Sequence, residues 1–112
     1  MNNKQRTIEW AKAKGLLDDP KPLKQLEKVA SEVIELTVEV STDVWVCGTG
    51  VISQAAFPSN NARLELGDCL VTLHVLAAQL GVDPDECHAM ALDKIENRSG
   101  KMVDGLFVKD GD

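Results

Sequence analysis

The chain has 112 residues, 18 of them acidic and 12 basic, for a formal net charge of −6, and 44% of it is hydrophobic. This length predicts one domain spanning residues 1–112, able to bury a core without disulfide staples and helped further by oligomerisation. A negative chain with no cluster of Lys or Arg lacks the electrostatic footprint of a binder of nucleic acid or anionic membrane, which disfavours both partners.

Residues 1–10 are polar and charged where a secretory signal carries an apolar core, so an unprocessed, soluble protein is expected. A short amphipathic helix is predicted over residues 7–14, stopped by Gly15 and by the turn cluster Asp18-Asp19-Pro20. A second helix is predicted from residue 23 to about residue 40. Leu26, Val29, Ala30, Val33, Leu36, Thr37 and Val40 recur there with the spacing of one helical face.

Residues 41–62 mix β-branched residues with Gly48, Gly50 and Pro58 and keep neither a helical nor a strand period. The cluster Pro58-Ser59-Asn60-Asn61 then offers a cap for a third helix over residues 62–80, which Gly81 closes. Asp83-Pro84-Asp85-Glu86 supplies a cap, a proline at the first helical position and a capping-box glutamate, predicting a fourth helix to about residue 98. The tail from residue 99 holds glycines at 100, 105 and 111 and an apolar patch, Leu106-Phe107-Val108, suited to packing on the body or on a partner. Cys47, Cys69 and Cys87 form an odd set without a CxxC pair, which fits reduced thiols and a cytoplasmic location.

On the third helix Glu65, Asp68, Thr72 and Gln79 fall within an arc of roughly 60°, opposite Leu66, Leu70, Leu73, Leu76 and Leu80. The pattern predicts a helix buried nearly all round, so its two carboxylates must be protonated, paired with cations or ligated to metal. The second helix carries Glu32, Glu35 and Glu39 at spacings of three and four, on one stripe. Like charges about 4 Å apart repel by roughly 4 kcal/mol at an effective dielectric of about 20, so converging carboxylates call for a bridging cation. An oxygen-only donor set favours Mg²⁺ or Mn²⁺ over zinc. The simpler alternative is that Glu32 pairs with Lys28 four residues earlier while Glu35 and Glu39 decorate a solvated face.

Glu32-Val33-Ile34-Glu35-Leu36 followed by Glu65-Leu66-Gly67-Asp68 resembles the ExxE and ExxD pair of the MazG-like nucleoside triphosphate pyrophosphohydrolases. Residues 6–16, RTIEWAKAKGL, and 94–109, KIENRSGKMVDGLFVK, are similar to the ends of small, often phage-encoded members. Residues 41–62 depart from the pattern and lengthen the connection between the two motifs.

The resemblance implies an all-α bundle of four to five helices, completed as a homodimer or homotetramer. It implies a Mg²⁺-dependent enzyme, with Mn²⁺ as a second candidate, that cleaves a nucleoside triphosphate between the α and β phosphates to give a monophosphate and pyrophosphate. Glu32, Glu35, Glu65 and Asp68 are the expected ligands and catalytic carboxylates, and spacing leaves open which of them is the base. Lys94, Asn97 and Arg98, with Lys101 beyond them, are candidates for binding phosphates or a base, although dipole complementarity at a helix end selects the same cations. Trp10 and Trp45 fit core or interface positions better than base stacking. His74 and His88 have no partner at ligand spacing. The competing reading is a non-catalytic helical nucleotide-binding or regulatory module of the same fold.

Overall fold

The structure, a computed structural model, describes residues 1–48 and 57–111. The described chain is mostly helical and divides into two compact units, Met1–Gly81 and Val82–Asp112.

In the first unit, α1 (Asn3–Ala13) starts earlier than its apolar pattern predicts because a capping box seeds it. The Asn2 side chain accepts from the Gln5 backbone N–H at 2.8 Å, and the Asn2 N–H donates to Gln5 Oε1 at 2.9 Å. Two otherwise orphaned amides are thereby satisfied. The helix turns off at Gly15 (φ 79°), where the Leu16 N–H reaches back to the Ala11 carbonyl at 2.9 Å.

Helix α2 (Pro22–Gly48) opens with proline at its first position and continues well past residue 40, where the sequence reading ends it. The stretch left unassigned at 41–62 is therefore helix over its first eight residues. Val44 and Trp45 are exposed, so no apolar face announces the continuation. Hydroxyls along this helix bond back to its own carbonyls, Thr37 Oγ1 to Val33 and Thr42 Oγ1 to Val38. Residues 49–56, which carry most of the remaining atypical segment, lie outside the described residues.

Helix α3 (Asn60–Leu80) is capped by Ser59, whose hydroxyl accepts from the Ala62 N–H at 3.1 Å. The Ser59 N–H and hydroxyl both donate to Asp43 Oδ2, at 2.9 and 2.8 Å, which ties the start of α3 to the far end of α2. Gly81 ends the helix in the left-handed conformation (φ 72°), as the sequence predicts. Asp43 meets Ser59, and Gln25 donates to the Thr72 carbonyl at 3.1 Å, so α2 and α3 pack antiparallel. Helix α1 lies against α3, and Gln79 Nε2 donates to the Leu16 carbonyl at 3.0 Å.

The faces joined by this packing coincide only in part with the ones the apolar pattern selects: Val29 is buried and Leu36 and Leu76 are half-buried. The core consists of Ala11, Val29, Ala62, Cys69, Val75 and Ala77, with Thr72 and Glu32 buried among them. Leu26, Val33 and Val40 of α2 and Leu66, Leu70, Leu73 and Leu80 of α3 are exposed. The expectation that α3 is buried nearly all round is thus corrected: its polar arc faces α2 and its leucine side is open. Helices α2 and α3 meet along the edge that carries Gln25, Glu32, Glu65 and Thr72.

In the second unit, α4 (Pro84–Glu96) has Asp83 as its cap, accepting from the Asp85 N–H at 2.9 Å, with Pro84 in the first turn. The tail, to which the sequence reading assigns no element, forms a two-stranded antiparallel hairpin, β1 (Gly100–Val103) and β2 (Leu106–Lys109). Asp104 (φ 50°) and Gly105 (φ 80°) both take positive φ, the requirement of a two-residue type I′ turn. Four helices are present among the described residues, and no single one of them is long and apolar enough to cross a membrane.

Candidate metal centre

The packed edge of α2 and α3 brings Glu32, Glu65 and Asp68 together. One carboxylate oxygen from each lies within 4.8 Å of the other two. Glu32 comes from the middle of α2, and Glu65 and Asp68 sit three residues apart on α3, the spacing that puts both on one side of a helix. Glu32 is buried, Glu65 half-buried and Asp68 exposed, so the cluster runs from the interior to solvent.

Glu35, predicted as a fourth ligand, is exposed and is not among the three whose oxygens converge. Its negative charge still acts on Glu65. Glu39 is half-buried and likewise outside the group. Lys94, Asn97 and Arg98 belong to the second unit, at the end of α4, where Asn97 caps the helix and its side chain donates to the Asp93 carbonyl at 2.9 Å.

One cation meets the cluster directly. Lys28 Nζ lies 2.9 Å from Glu32 Oε1, an i,i+4 pair joining a half-exposed ammonium to a buried carboxylate. The pairing considered as the simpler alternative is therefore present, together with the convergence of carboxylates that it was set against. The Lys28 hydrogen bond holds the Glu32 carboxyl below its ordinary pKa of 4.5, against the opposing effect of burial. Glu65 has no such partner. Burial, and then the charges of Glu35, Asp68 and Glu32, raise its pKa. Burial raises the pKa of the Cys69 thiol, one residue from Asp68, and the three carboxylates add to the effect.

The lysine leaves the site unfinished. Glu32 Oε2 and Glu65 Oε2 are both buried without a hydrogen-bond partner. A buried acceptor without a donor costs about 1–3 kcal/mol, and more when charged, so a cation, a proton or a water at these two oxygens would be stabilising. Three carboxylates less one ammonium leave two negative charges, the complement of one divalent ion.

The donor set consists of oxygens alone, which suits a hard cation. Neighbouring ligand oxygens of Mg²⁺, at bonds of about 2.1 Å, stand about 3 Å apart and those of Ca²⁺ slightly farther, so the three oxygens, which lie within 4.8 Å of one another, would draw closer around an ion. Glu32, Glu65 and Asp68 thus fit a divalent cation, with further positions open toward solvent at Asp68.

Sequence reasoning missed the polar contacts that align this edge. Gln25 on the Thr72 carbonyl and Asp43 on Ser59 fix the sliding register of α2 against α3 on either side of the carboxylates. Neither was visible as a signal, because each joins residues distant in sequence through one amide or one hydroxyl. Trp10, read as core or interface, lines with Arg6, Gly67, Leu70, Val71 and His74 a groove of about 760 Å³ between α1 and α3. Trp45 is exposed on α2, and His74 Nδ1 is bonded to the Leu70 carbonyl at 2.7 Å. No family model, curated protein or solved structure matches the chain.

Proposed function

We propose that the protein is a small MazG-like nucleoside triphosphate pyrophosphohydrolase, dependent on Mg²⁺ and assembled as a homo-oligomer. The observation that carries this reading is the meeting of Glu32, Glu65 and Asp68 with two buried, unpartnered carboxylate oxygens. These are three of the four acids of the ExxE and ExxD motifs, on two helices in contact. The reaction adds water across the α–β anhydride of an NTP or dNTP and yields a monophosphate and pyrophosphate.

In this reading Glu32, Glu65 and Asp68 hold the cation, and Glu35 adds negative charge at the rim. A bound Mg²⁺ would supply charge neutralisation for the phosphate oxygens and a lowered pKa for coordinated water. One of the site's carboxylates accepts the proton of the attacking water as the bond to phosphorus forms. The binding role of Lys94, Asn97 and Arg98, which lie in the second unit, rests on the resemblance alone.

The test is pyrophosphate release across a panel of canonical and modified NTPs and dNTPs with Mg²⁺. The reading expects turnover of some member, lost in Glu32→Gln and in Asp68→Asn with the fold retained by circular dichroism. A folded protein that turns over nothing in the panel overturns the enzyme and leaves the binding or regulatory module.

A further inference from the structure

We propose that Lys28 is the residue that receives the polyphosphate of a nucleotide at the acidic site, an assignment that rests on the hydrolase reading above. The Lys28 side chain is 57% exposed and that of Glu32 only 8%, so the ammonium stands at the boundary between the buried carboxylates and solvent. An ammonium has three donors. The 2.9 Å contact with Glu32 Oε1 engages one of them and leaves two for an arriving anion.

Charge gives the assignment its reason. Three carboxylates, one ammonium and one divalent ion are neutral together, and a triphosphate then brings several further negative charges to a site whose protein groups are mostly acidic. A cation already fixed in place lowers that cost, and Lys28 is tethered to the acid that Glu65 and Asp68 meet. Lys24, one turn earlier on α2, pairs instead with Glu27 at 3.5 Å, and Lys21 pairs with Asp19 at 3.1 Å. Both are solvent-side pairs, and they supply controls of equal charge.

The experiment measures binding to the full chain in Mg²⁺ by calorimetry. The probes are a non-hydrolysable α,β-methylene nucleoside triphosphate and the matching monophosphate. A charge-assisted hydrogen bond lost at the phosphates predicts that Lys28→Met weakens the triphosphate analogue about tenfold or more and the monophosphate less than about threefold. Lys28→Arg restores most of the loss, and Lys24→Met shifts neither probe by more than about threefold. If Lys28→Met does not fold, Lys28→Gln, which keeps a donor for Glu32 without the charge, carries the same expectation. Equal weakening of both probes, unchanged triphosphate binding, or a Lys24→Met effect matching that of Lys28→Met overturns the assignment. The Mg²⁺-induced rise in Tm, measured without nucleotide on the same variants, separates the two readings. Its absence from wild type overturns the cation site and the assignment together, whereas its persistence alongside unchanged triphosphate binding in Lys28→Met overturns the assignment alone.

Discussion

Glu65 and Glu32 share one cluster and respond to it in opposite directions. Lys28 favours the ionised form of Glu32, so the folded pKa is depressed. The stability it contributes is present above the ordinary value of 4.5 and is lost as pH falls through the lower folded value. Glu65 is the reverse case, since burial and like charges raise its folded pKa. Between 4.5 and that raised value the native state holds a proton that the unfolded state has released, so stability declines as pH rises through the window. Glu65→Gln removes the burden, and its thermal melts between pH 4 and 8 should show a higher Tm at neutral pH and a flatter decline above about pH 4.5. The same variant should lose the response to Mg²⁺. For wild type, saturation to about 100 times Kd adds roughly 2.7 kcal/mol, a rise of about 10 °C in a domain of this size. A Glu65→Gln protein that matches wild type in both pH profile and Mg²⁺ response would remove Glu65 from the site. The acids themselves were legible, because carboxylates on so apolar a helix need a reason. Glu35 lies outside the converging three, since spacing of three along α2 sets a stripe and does not say which edge of the stripe a neighbouring helix will cover.

At the scale of elements, punctuation was more legible than packing. Gly81 was read as a stop and is one, with φ 72° and no atom within 4 Å of a Cβ built on it. The cost of Gly81→Ala is therefore purely conformational, about 1 kcal/mol by urea unfolding. Gly67, in the middle of α3, also has open space at its Cβ and lacks the positive φ. Gly67→Ala should stabilise by about 0.5–1 kcal/mol in the same assay, so the two substitutions are expected to differ in sign. Equal effects would mean that the end of α3 is not held by its cap. The hairpin was missed although Asp104-Gly105, flanked by apolar residues, is the dipeptide such a turn requires. Its strands are four residues each and exposed throughout, too short for alternation to stand out. The end of α2 is missed for a related reason, since none of the side chains at 41–46 is buried and no stripe is there for a helical period to report.

At the scale of the molecule, much of the apolar pattern lies on the surface, while two polar residues, Glu32 and Thr72, are buried with the core. Leu66, Leu70 and Leu73 lie along one side of α3, and Val33 and Val40 along α2, all exposed. Among the described residues six apolar side chains are buried, four of them Ala or Cys, which is little cover for a chain that must offset the conformational entropy of folding. Each leucine withdrawn from water contributes about 1.5–3 kcal/mol, so a second copy laid against this side would add stability, as the proposed homo-oligomer requires. A stable pairing buries about 800 Å² per partner. Sedimentation velocity should accordingly find a dimer or a larger assembly, and Tm should rise with protein concentration, since dissociation and unfolding are then linked. Leu70→Asp sets a charge in the middle of that face and should shift the boundary toward monomer while lowering Tm. Leu23→Asp, at the exposed start of α2, should change neither. A wild-type protein that sediments as a monomer, with a Tm independent of concentration, would mean that these leucines serve some other partner, and the homo-oligomer would be lost from the functional reading while the carboxylate cluster of α2 and α3 stood unchanged.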